Sequence, residues 1–289
     1  MTIVITGANG EFGRGVLDSV AGYVLGQRLV ATVRDVARAA ELEERGIDVR
    51  PGSFAEPDTL RSSFAGAETV FINATFFGAA VELRGRRIAT AIRAAADAGA
   101  SRIVLTTWPN LDHARIPSVQ DYALAERLIT EAGPAWTILR LGYGLADAVA
   151  RDVMWARRDG ELIAPAADAL CTPAAVPDLV DAAAATIIGS GHENQLYEIT
   201  GPRAIDWNDL ATVAGSIDGR EIRYRPVEDG DYREYLAAQS MPTTVIDGLL
   251  GLYAEFRAGW SAQPSPTLGR LIGRTPTDTL QAVRQRVRP

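Results

Sequence analysis

The sequence lacks lysine entirely, since all 29 of its Lys and Arg positions are arginines. An arginine stays protonated and spreads its charge over a planar group, so it cannot replace a lysine that acts as a free amine or as a compact ammonium. The absence therefore excludes Schiff-base catalysis, a phosphate-binding loop that depends on lysine, and a catalytic Tyr-x-x-x-Lys pair.

Cysteine and histidine are nearly absent as well. The single cysteine, Cys171, cannot form an internal disulfide, and we expect it to be a small buried residue. One of the two histidines, His192, is followed by Glu193, but Asp178 and Asp181 do not complete a metal-ligand spacing with them on one element. The sequence therefore predicts no metal site.

Long apolar runs are also missing, because Arg, Asp or Gly interrupts each stretch well short of the ~20 residues that a membrane-spanning helix needs. We expect no membrane span, no signal peptide and a cytoplasmic location. The net charge of −7 argues against a nucleic-acid partner, since phosphate binding favours clustered positive charge. The length of 289 residues allows one large core with a smaller attached lobe.

The sequence does contain a glycine-rich turn near its start. An apolar segment, residues 2–5, leads into Gly7, Gly10 and Gly13, and an amphipathic segment follows. A strand, such a turn and a helix are typical of a dinucleotide-binding unit, because glycines let the backbone pass close to a pyrophosphate and the helix amino terminus favours its negative charge. A purely structural turn is the alternative for this spacing.

The next predicted strand, residues 28–33, is followed directly by Arg34. An acidic side chain at this place prefers NAD because it accepts a hydrogen bond from the ribose 2′-hydroxyl, whereas an arginine accommodates the 2′-phosphate of NADP. Arg34 therefore favours NADPH as the cofactor. Asp35 is the alternative, as an acceptor for a ribose hydroxyl, and Arg38 is a candidate for a second phosphate contact.

Apolar segments alternate with amphipathic ones through the first half of the chain. Predicted strands cover residues 2–5, 28–33, 47–50, 69–75, 102–107 and 136–140. Apolar strands separated by helices indicate an α/β fold of the Rossmann type, a doubly wound parallel sheet covered on both faces. Ligands bind beyond the carboxyl ends of such strands, so we expect residues 73–77, 107–109 and 142–144 to line one crevice.

After Leu145 the pattern changes, with more Pro and Gly, a strand-like segment at residues 196–202, and helical segments at about residues 176–188, 207–216 and 244–259. We therefore predict an NADP-binding Rossmann domain at residues 1–145. Residues 146–289 are predicted to form a smaller α/β substrate-binding lobe, interleaved with the first domain, that closes a pocket over the nicotinamide.

Several motifs resemble the NmrA-like family of atypical short-chain dehydrogenases/reductases over nearly the whole chain. They are the Gly7 turn, the Val33-Arg34 strand end, Trp-Thr-Ile-Leu-Arg at 136–140, Tyr-Glu-Ile-Thr-Gly-Pro at 197–202 and Leu-Ile-Gly-Arg-Thr-Pro-Thr at 271–277. Within this family the chain is most similar to bacterial NAD(P)H-dependent quinone and triphenylmethane-dye reductases. The family also contains NADP-sensing regulators, and it often has Asp near the adenine where this chain has Ser53.

The motifs and the resemblance together define a set of residues expected to bind the cofactor. The set is Gly7, Asn9, Gly10, Glu11, Phe12, Gly13, Arg34, Ser53, Asn73, Ala74, Thr75 and Tyr143.

Three residues are candidates for catalysis, although a protein proton donor is optional because the cofactor itself performs hydride transfer. Tyr122 is the first candidate for a donor, and its alternative is a packing residue of an amphipathic helix. Thr107 is placed to donate a hydrogen bond to a carbonyl oxygen of a substrate. Its alternative is a threonine that is present for its β-strand propensity. His113 is a candidate proton carrier or an exposed loop residue.

Four aromatic residues near strand ends suit stacking on a flat apolar acceptor, with core packing as the alternative for each. They are Phe76, Phe77, Trp108 and Tyr143.

Two functions follow from these observations. The leading one is an NADPH-dependent oxidoreductase that reduces a quinone, an aromatic carbonyl or a related planar small molecule. The alternative is a non-catalytic NADP(H)-binding redox sensor that acts through a protein partner. We expect a monomer or a homodimer.

Overall fold

The computed structural model describes residues 1–24, 28–74, 81–115 and 119–287. The chain forms two compact units, each built from three stretches of sequence. The first unit comprises Met1–Leu111, Pro117–Leu141 and Val176–Ile199, and the second comprises Asp112–Ile116, Gly142–Ala175 and Thr200–Pro289. The roles predicted for the two domains, cofactor binding and substrate binding, remain proposals.

The strands are short and mostly buried. In chain order they are β1 Thr2–Thr6, β2 Arg28–Val33, β3 Asp48–Pro51, β4 Thr69–Ile72, β5 Arg102–Thr107, β6 Ala135–Leu141, β7 Leu162–Ala164, β8 Gln195–Ile199 and β9 Tyr224–Pro226.

A parallel sheet of seven strands forms the centre of the first unit, in the order β3-β2-β1-β4-β5-β6-β8. The order runs outward in one direction from β1 to β3 and in the other direction from β4 onward. The carboxyl ends of β1 and β4 therefore flank the point at which sheets of this topology bind their ligands. The predicted doubly wound parallel sheet is confirmed.

The strand boundaries agree with the sequence-based prediction for β2 and β5 and differ elsewhere. The fourth strand was predicted to cover residues 69–75, but β4 ends at Ile72. Asn73 and Ala74 follow it outside the ladder, and Thr75, Phe76 and Phe77 lie outside the described residues. The strand-like segment in the second half joins the large sheet, since β8 pairs with β6 from Thr137 and Gln195 to Leu141 and Ile199.

Helices separate the strands along the chain. They are α1 Glu11–Ala21, α2 Ala40–Glu44, α3 Pro57–Ser63, α4 Val81–Asp97, α5 Gln120–Glu131, α6 Leu145–Asp159, α7 Val176–Ile188, α8 Trp207–Asp218, α9 Asp229–Ala238, α10 Thr243–Arg257, α11 Thr267–Ile272 and α12 Thr279–Arg286.

Close helix pairs in the first unit are made possible by glycine. A Cβ at Gly15 of α1 would lie 2.9 Å from Cγ2 of Val180 in α7. A Cβ at Gly85 of α4 would lie 2.9 Å from the Cβ of Asp121 in α5. Such distances are shorter than real side chains tolerate, so glycine lets these two helix pairs pack tightly against each other.

The second unit contains the two-stranded parallel ladder of β7 and β9 and the helices α6 and α8–α12. Its core includes the buried carboxylate of Asp152, which accepts hydrogen bonds from Trp207 Nε1 at 2.9 Å and from the Tyr253 hydroxyl at 2.7 Å. Cys171 is fully buried in this unit, as predicted, and burial raises the pKa of its thiol. Within the described ranges, no helix is both long enough and apolar enough to cross a membrane.

Candidate cofactor and active site

The turn between β1 and α1 has the shape that its glycines predict. Gly7 adopts a left-handed backbone with φ of +71°, and its N–H donates to Thr32 O at 3.1 Å, which fixes the turn to β2. The Gly10 N–H then donates to Gly7 O at 2.9 Å. A residue with a Cβ is strained at a positive φ, so the chain reverses here on glycine.

Gly13 brings the start of α1 onto this turn. A Cβ at Gly13 would lie 2.3 Å from Gly7 O and 3.0 Å from Thr6 O, so only glycine permits this approach. The residue before the helix is Gly10, and no side chain caps the helix there. The positive end of the helix dipole is therefore directed past bare backbone, which suits a phosphate group.

Glu11 and Phe12, both predicted to bind cofactor, point in different directions. The Glu11 side chain is exposed in the first helical turn. The Phe12 ring is buried, with its centroid 6.5 Å from that of Phe71. The Phe12 side chain therefore belongs to the core, and only its backbone is placed to face a ligand.

Asn9 connects the glycine turn to the end of β2. Its Nδ2 donates to Asp35 O at 2.9 Å, while its Oδ1 is buried without a hydrogen-bond partner among the described groups. Buried polar atoms are almost always hydrogen-bonded in proteins, so this oxygen is suited to accept a hydrogen bond from a ligand. Arg34 stands beside this contact, exposed, and no described carboxylate pairs with it.

Asp35 and Arg38 lie on the same short stretch. The Asp35 carboxylate accepts the Ala37 N–H at 3.1 Å and begins the short 3₁₀ helix Val36–Ala39. Arg38 is exposed within that helix. The end of β2 thus presents two guanidinium groups and a carboxylate that already accepts one backbone hydrogen bond.

Asn73 lies against the turn from the neighbouring strand. Its backbone N–H donates to Thr6 Oγ1 at 2.9 Å, and its Nδ2 is 3.0 Å from the place where a Cβ of Gly7 would stand. Ser53 follows β3, where its Oγ accepts the Ala55 N–H at 3.3 Å. The structure therefore places Asn73 directly at the glycine turn and gives Ser53 a local turn contact.

Tyr122 of α5 is buried beneath the end of β4. Its hydroxyl donates to Ala74 O at 2.8 Å, and the Ala74 N–H donates to Thr106 Oγ1 at 2.8 Å. The Tyr122 ring is stacked with that of Trp108, with centroids 6.3 Å apart. The guanidinium of Arg84, a residue of α4, lies 4.8 Å from the centroid of the Tyr122 ring. Burial raises the pKa of the Tyr122 phenol to about 12, so it keeps its proton at neutral pH.

Arg84 is held in that place by Asp121. Arg84 Nε and Nη2 donate to the two carboxylate oxygens of Asp121 at 2.6 and 2.8 Å, and both side chains are buried. A two-point contact between a guanidinium and a carboxylate fixes orientation as well as distance. The Tyr122 ring is therefore in contact with a fixed cation and with the Trp108 indole.

Thr107 ends β5 in a second buried polar cluster. Its hydroxyl donates to Glu126 Oε1 at 2.7 Å, and the same carboxylate accepts Arg140 Nε and Nη2 at 2.9 and 2.7 Å. A threonine hydroxyl can donate a single hydrogen bond, and here that hydrogen bond goes to Glu126. Glu198 of β8 completes the cluster by accepting Arg140 Nη1 at 3.0 Å.

Glu198 is a partly buried carboxylate with a contact on each of its two oxygens. It shares one guanidinium with Glu126, and its second oxygen accepts the Asn110 N–H at 3.0 Å. Burial raises the pKa of the Glu198 carboxyl above its usual range. Sequence reasoning did not propose Glu126 or Glu198 as site residues. The signal available for Glu198 was its place as a polar residue near the end of β8, and Glu126, in α5, had no such signal.

The remaining predicted residues belong to the second unit. His113 is exposed in the short 3₁₀ helix Leu111–His113, and Tyr143 is half-buried in the turn that precedes α6. Among the residues the structure covers, no group of three or more His, Cys, Asp and Glu side chains is arranged to hold a metal ion.

The geometry of the first unit fits a dinucleotide. The glycine turn leaves room that a Cβ would fill, the Asn9 side-chain oxygen offers a buried acceptor, and Arg34 offers a positive charge at the end of β2. These are the features that hold a diphosphate and a ribose in sheets of this topology.

The chain is similar in sequence and structure to known NAD(P)H-dependent reductases. Quinone oxidoreductase 2 of Escherichia coli is 29% identical over 282 residues, which covers 96% of each chain. The solved structure of an NADPH-dependent quinone oxidoreductase of Escherichia coli in complex with NADPH matches with a TM-score of 0.89 and 27% identity, over 99% of each chain. Citrobacter sp. triphenylmethane reductase, at 23% identity and a TM-score of 0.90 over 99% of each chain, shares the fold.

The predicted family resemblance is confirmed by a match that extends over more than half of the sequence. Residues 7–163 match a family described as NAD(P)H-binding, and this range includes the glycine turn, Arg34 and the cluster around Thr107. The chain belongs to this NAD(P)H-binding family.

Proposed function

We propose that the protein is an NADPH-dependent reductase that transfers a hydride to a planar aromatic acceptor such as a quinone. The observation that carries the proposal is the glycine turn at Gly7 and Gly13 with Arg34 exposed at the adjacent strand end. The relative from Escherichia coli that resembles this chain over its whole length is named a quinone oxidoreductase, which supports the acceptor class.

The cofactor-binding roles follow from the contacts. The turn at Gly7 and Gly10 and the amino end of α1 hold the diphosphate, since they combine bare backbone with a positive helix end. Arg34 pairs with the 2′-phosphate, and Arg38 is a second cation on the same stretch. Asn9 accepts a hydrogen bond from the adenosine half, and Asn73 bounds the turn on the nicotinamide side.

The acceptor is placed by the residues that follow β4 and β5. NADPH supplies the hydride when it is bound. The protein provides a flat apolar surface, Trp108 stacked on Tyr122, against which a planar ring lies. Exclusion of water from this surface favours hydride transfer over side reactions.

Proton delivery does not require an acidic side chain here. The Tyr122 hydroxyl already donates to Ala74 O, and the Thr107 hydroxyl already donates to Glu126. We infer that the reduced oxygen of a quinone takes its proton from water, because a hydroquinone oxygen exchanges protons readily with solvent. Tyr122 and Thr107 then contribute to position rather than to acid catalysis, and the proton-carrying role of His113 remains a prediction.

The substrate-binding role of residues 146–289 and the cofactor contact of Tyr143 remain predictions. The cytoplasmic location and a monomeric or homodimeric state remain predictions, and size-exclusion chromatography with light scattering decides the second of them.

A direct test combines binding with turnover. Fluorescence titration of the purified protein with NADPH and with NADH should show tighter binding of NADPH. Oxidation of NADPH should then follow addition of a quinone, an azo dye or a triphenylmethane dye. Binding of NADPH without oxidation by any of these acceptors would remove the reductase proposal and favour the redox-sensor function. Failure to bind either nucleotide would remove both.

A further inference from the structure

Three polar side chains from neighbouring strands stand in one row at the carboxyl edge of the large sheet. Thr107 of β5 is in register with Arg140 of β6, and Arg140 is in register with Glu198 of β8. Side chains in register on adjacent parallel strands project from the same face. Glu126 of α5 reaches this row and binds both Thr107 and Arg140.

Arg140 is the centre of the row. Its guanidinium donates from Nε and Nη2 to the two oxygens of Glu126 and from Nη1 to Glu198. Arg140 and Glu126 are buried, with 6% and 9% of their surfaces exposed. Desolvating such a group of charges costs about as much as the ion pairs return, so net stability does not explain why the cluster is there.

The cluster also accepts hydrogen bonds from two residues of one short segment of chain, and these contacts indicate what the cluster does. Glu126 Oε1 accepts the hydroxyl of Thr107, and Glu198 Oε2 accepts the backbone N–H of Asn110 at 3.0 Å. Thr107 and Asn110 are the two ends of the segment 107–110, Thr-Trp-Pro-Asn. The cluster therefore holds this segment at both ends.

The segment itself is in a constrained conformation. Asn110 adopts a left-handed backbone with φ of +47°, which is uncommon for a residue with a side chain. Trp108, between the two held ends, is half-buried and stacks on Tyr122 with 24° between the ring planes. The direction of the Trp108 indole is thus set from one side by Tyr122 and from both ends of its own segment by the cluster.

We propose that Glu198 and Arg140 are positioning residues that fix the segment 107–110, and through it the Trp108 indole against which the acceptor lies. The proposal deepens the proposed function, on which it rests for the identity of the acceptor. Neither residue touches the acceptor. Their effect is on how well the Trp108 surface is formed before the acceptor binds, and therefore on the KM for the acceptor.

Glu198→Gln is the sharpest variant. Glu198 accepts one hydrogen bond on each oxygen, from Arg140 and from Asn110, whereas glutamine has a single acceptor oxygen and an amide that only donates. Whichever way the amide turns, one of the two contacts is lost and a donor faces a donor. The variant keeps the size and shape of the side chain.

Glu193→Gln is the matched control, because Glu193 lies shortly before the same strand but is exposed and contacts Arg102 at 3.6 Å, apart from the cluster. We expect Glu198→Gln to raise the KM for the quinone about tenfold, as loss of a charge-assisted hydrogen bond implies, with a smaller change in kcat and unchanged affinity for NADPH. Glu193→Gln should leave all three quantities unchanged.

A spectroscopic measurement tests the same claim without turnover. The emission of Trp108 is obtained by subtracting the spectrum of each protein's Trp108→Phe counterpart. In Glu198→Gln it should shift to longer wavelength and become more accessible to a neutral quencher, while in Glu193→Gln it should match the parent protein. If no acceptor is ever reduced, the proposed function fails but this measurement still judges the positioning role.

A second variant covers the case in which Glu198→Gln does not fold. Asn110→Gly retains the N–H and accommodates the positive φ, but it loosens one end of the segment. It should raise the acceptor KM and shift Trp108 emission in the same direction. If Trp108 emission and the acceptor KM are unchanged in Asn110→Gly, or unchanged in a folded Glu198→Gln, the positioning role is overturned. A fall in thermal stability with no change in Trp108 would overturn it equally.

Discussion

At the scale of single residues, Arg34 is the residue proposed to decide which pyridine nucleotide the protein prefers. Its side chain is exposed at the end of β2, and in the described parts of the chain no carboxylate neutralises it. Arg34→Asp should weaken NADPH binding about 10- to 100-fold, because it removes a charge-assisted hydrogen bond and places a negative charge beside the 2′-phosphate. Fluorescence titration with NADPH and NADH measures this.

The NADH titration is the internal control for Arg34, since NADH has a hydroxyl where NADPH has a phosphate. Its affinity should be unchanged or improved. Arg223→Asp tests for a general charge effect, because Arg223 is an exposed arginine of the second unit that pairs with the exposed Glu221. Equal losses of NADPH and NADH affinity in Arg34→Asp would contradict the cofactor assignment.

Replacement of Tyr122 tests whether its phenol acts as an acid catalyst or only as a packing residue. Its phenol is buried, has a pKa raised to about 12, and donates to Ala74 O, so we expect Tyr122→Phe to lower kcat for quinone reduction less than about threefold. Stability should fall by about 1 kcal/mol with the lost hydrogen bond. Steady-state kinetics and chemical unfolding measure the two effects.

A large fall in kcat would instead support the sequence-based prediction that Tyr122 donates a proton, because general acids contribute about 100- to 10,000-fold. Tyr232→Phe is a suitable comparison. Tyr232 is fully buried in the second unit, and its hydroxyl lies 3.3 Å from that of Tyr253. It should show a similar loss of stability with no change in kcat.

At the scale of elements, the strand, turn and helix at the amino end act as one unit. Gly13→Ala would put a Cβ 2.3 Å from Gly7 O, so the helix must move away from the turn. We expect a loss of about 1–3 kcal/mol of stability from the overpacking and at least tenfold weaker NADPH binding. Thermal unfolding and nucleotide titration measure both.

Gly248→Ala is the control for the same substitution in a permissive place. Gly248 is an exposed residue of α10, and a Cβ there meets nothing within 4 Å. It should gain up to about 1 kcal/mol from helix propensity and leave NADPH binding unchanged. NADPH binding that survives intact in Gly13→Ala would mean that the turn does not hold the diphosphate.

The elements also differ in how far the sequence predicted them. The bounds of β2 and β5 follow from apolar runs between clear breaks, and both agree with the structure. The partner of β8 did not follow, because a short strand carries no signal for the sheet it joins. The pairing of Arg140 with Glu126 and Glu198 was hidden for a related reason. Glu198 meets Arg140 through the strand register, and Glu126 meets it through the packing of α5.

At the scale of the whole molecule, His192 predicts how stability depends on pH. Burial and the nearby Arg102 lower the pKa of His192, whose Nδ1 lies 2.8 Å from the Tyr197 hydroxyl, with Glu193 acting in the opposite direction. The folded state therefore favours the neutral ring. This contribution is present above about pH 6.5 and is lost as the pH falls through the lowered pKa, because the unfolded chain protonates first.

The expected result is a steeper loss of unfolding free energy between about pH 7 and pH 5 in the parent protein than in His192→Gln. Urea unfolding at several pH values measures the difference. His113→Gln, a histidine replacement at an exposed site, is measured beside it for comparison. Parallel slopes for the parent protein and His192→Gln would contradict the burial argument.

The sequence by itself determined the parallel sheet, the glycine turn and the exposed arginine that follows β2. Each of these depends on residues close together in the chain, where backbone sterics and the apolar pattern leave few alternatives. Only the tertiary structure decided that Tyr122 donates a hydrogen bond to Ala74, that Glu126 accepts one from Thr107, and that Glu198 accepts one from Asn110. These contacts join distant residues whose meeting depends on strand order and helix packing, and no local pattern encodes them.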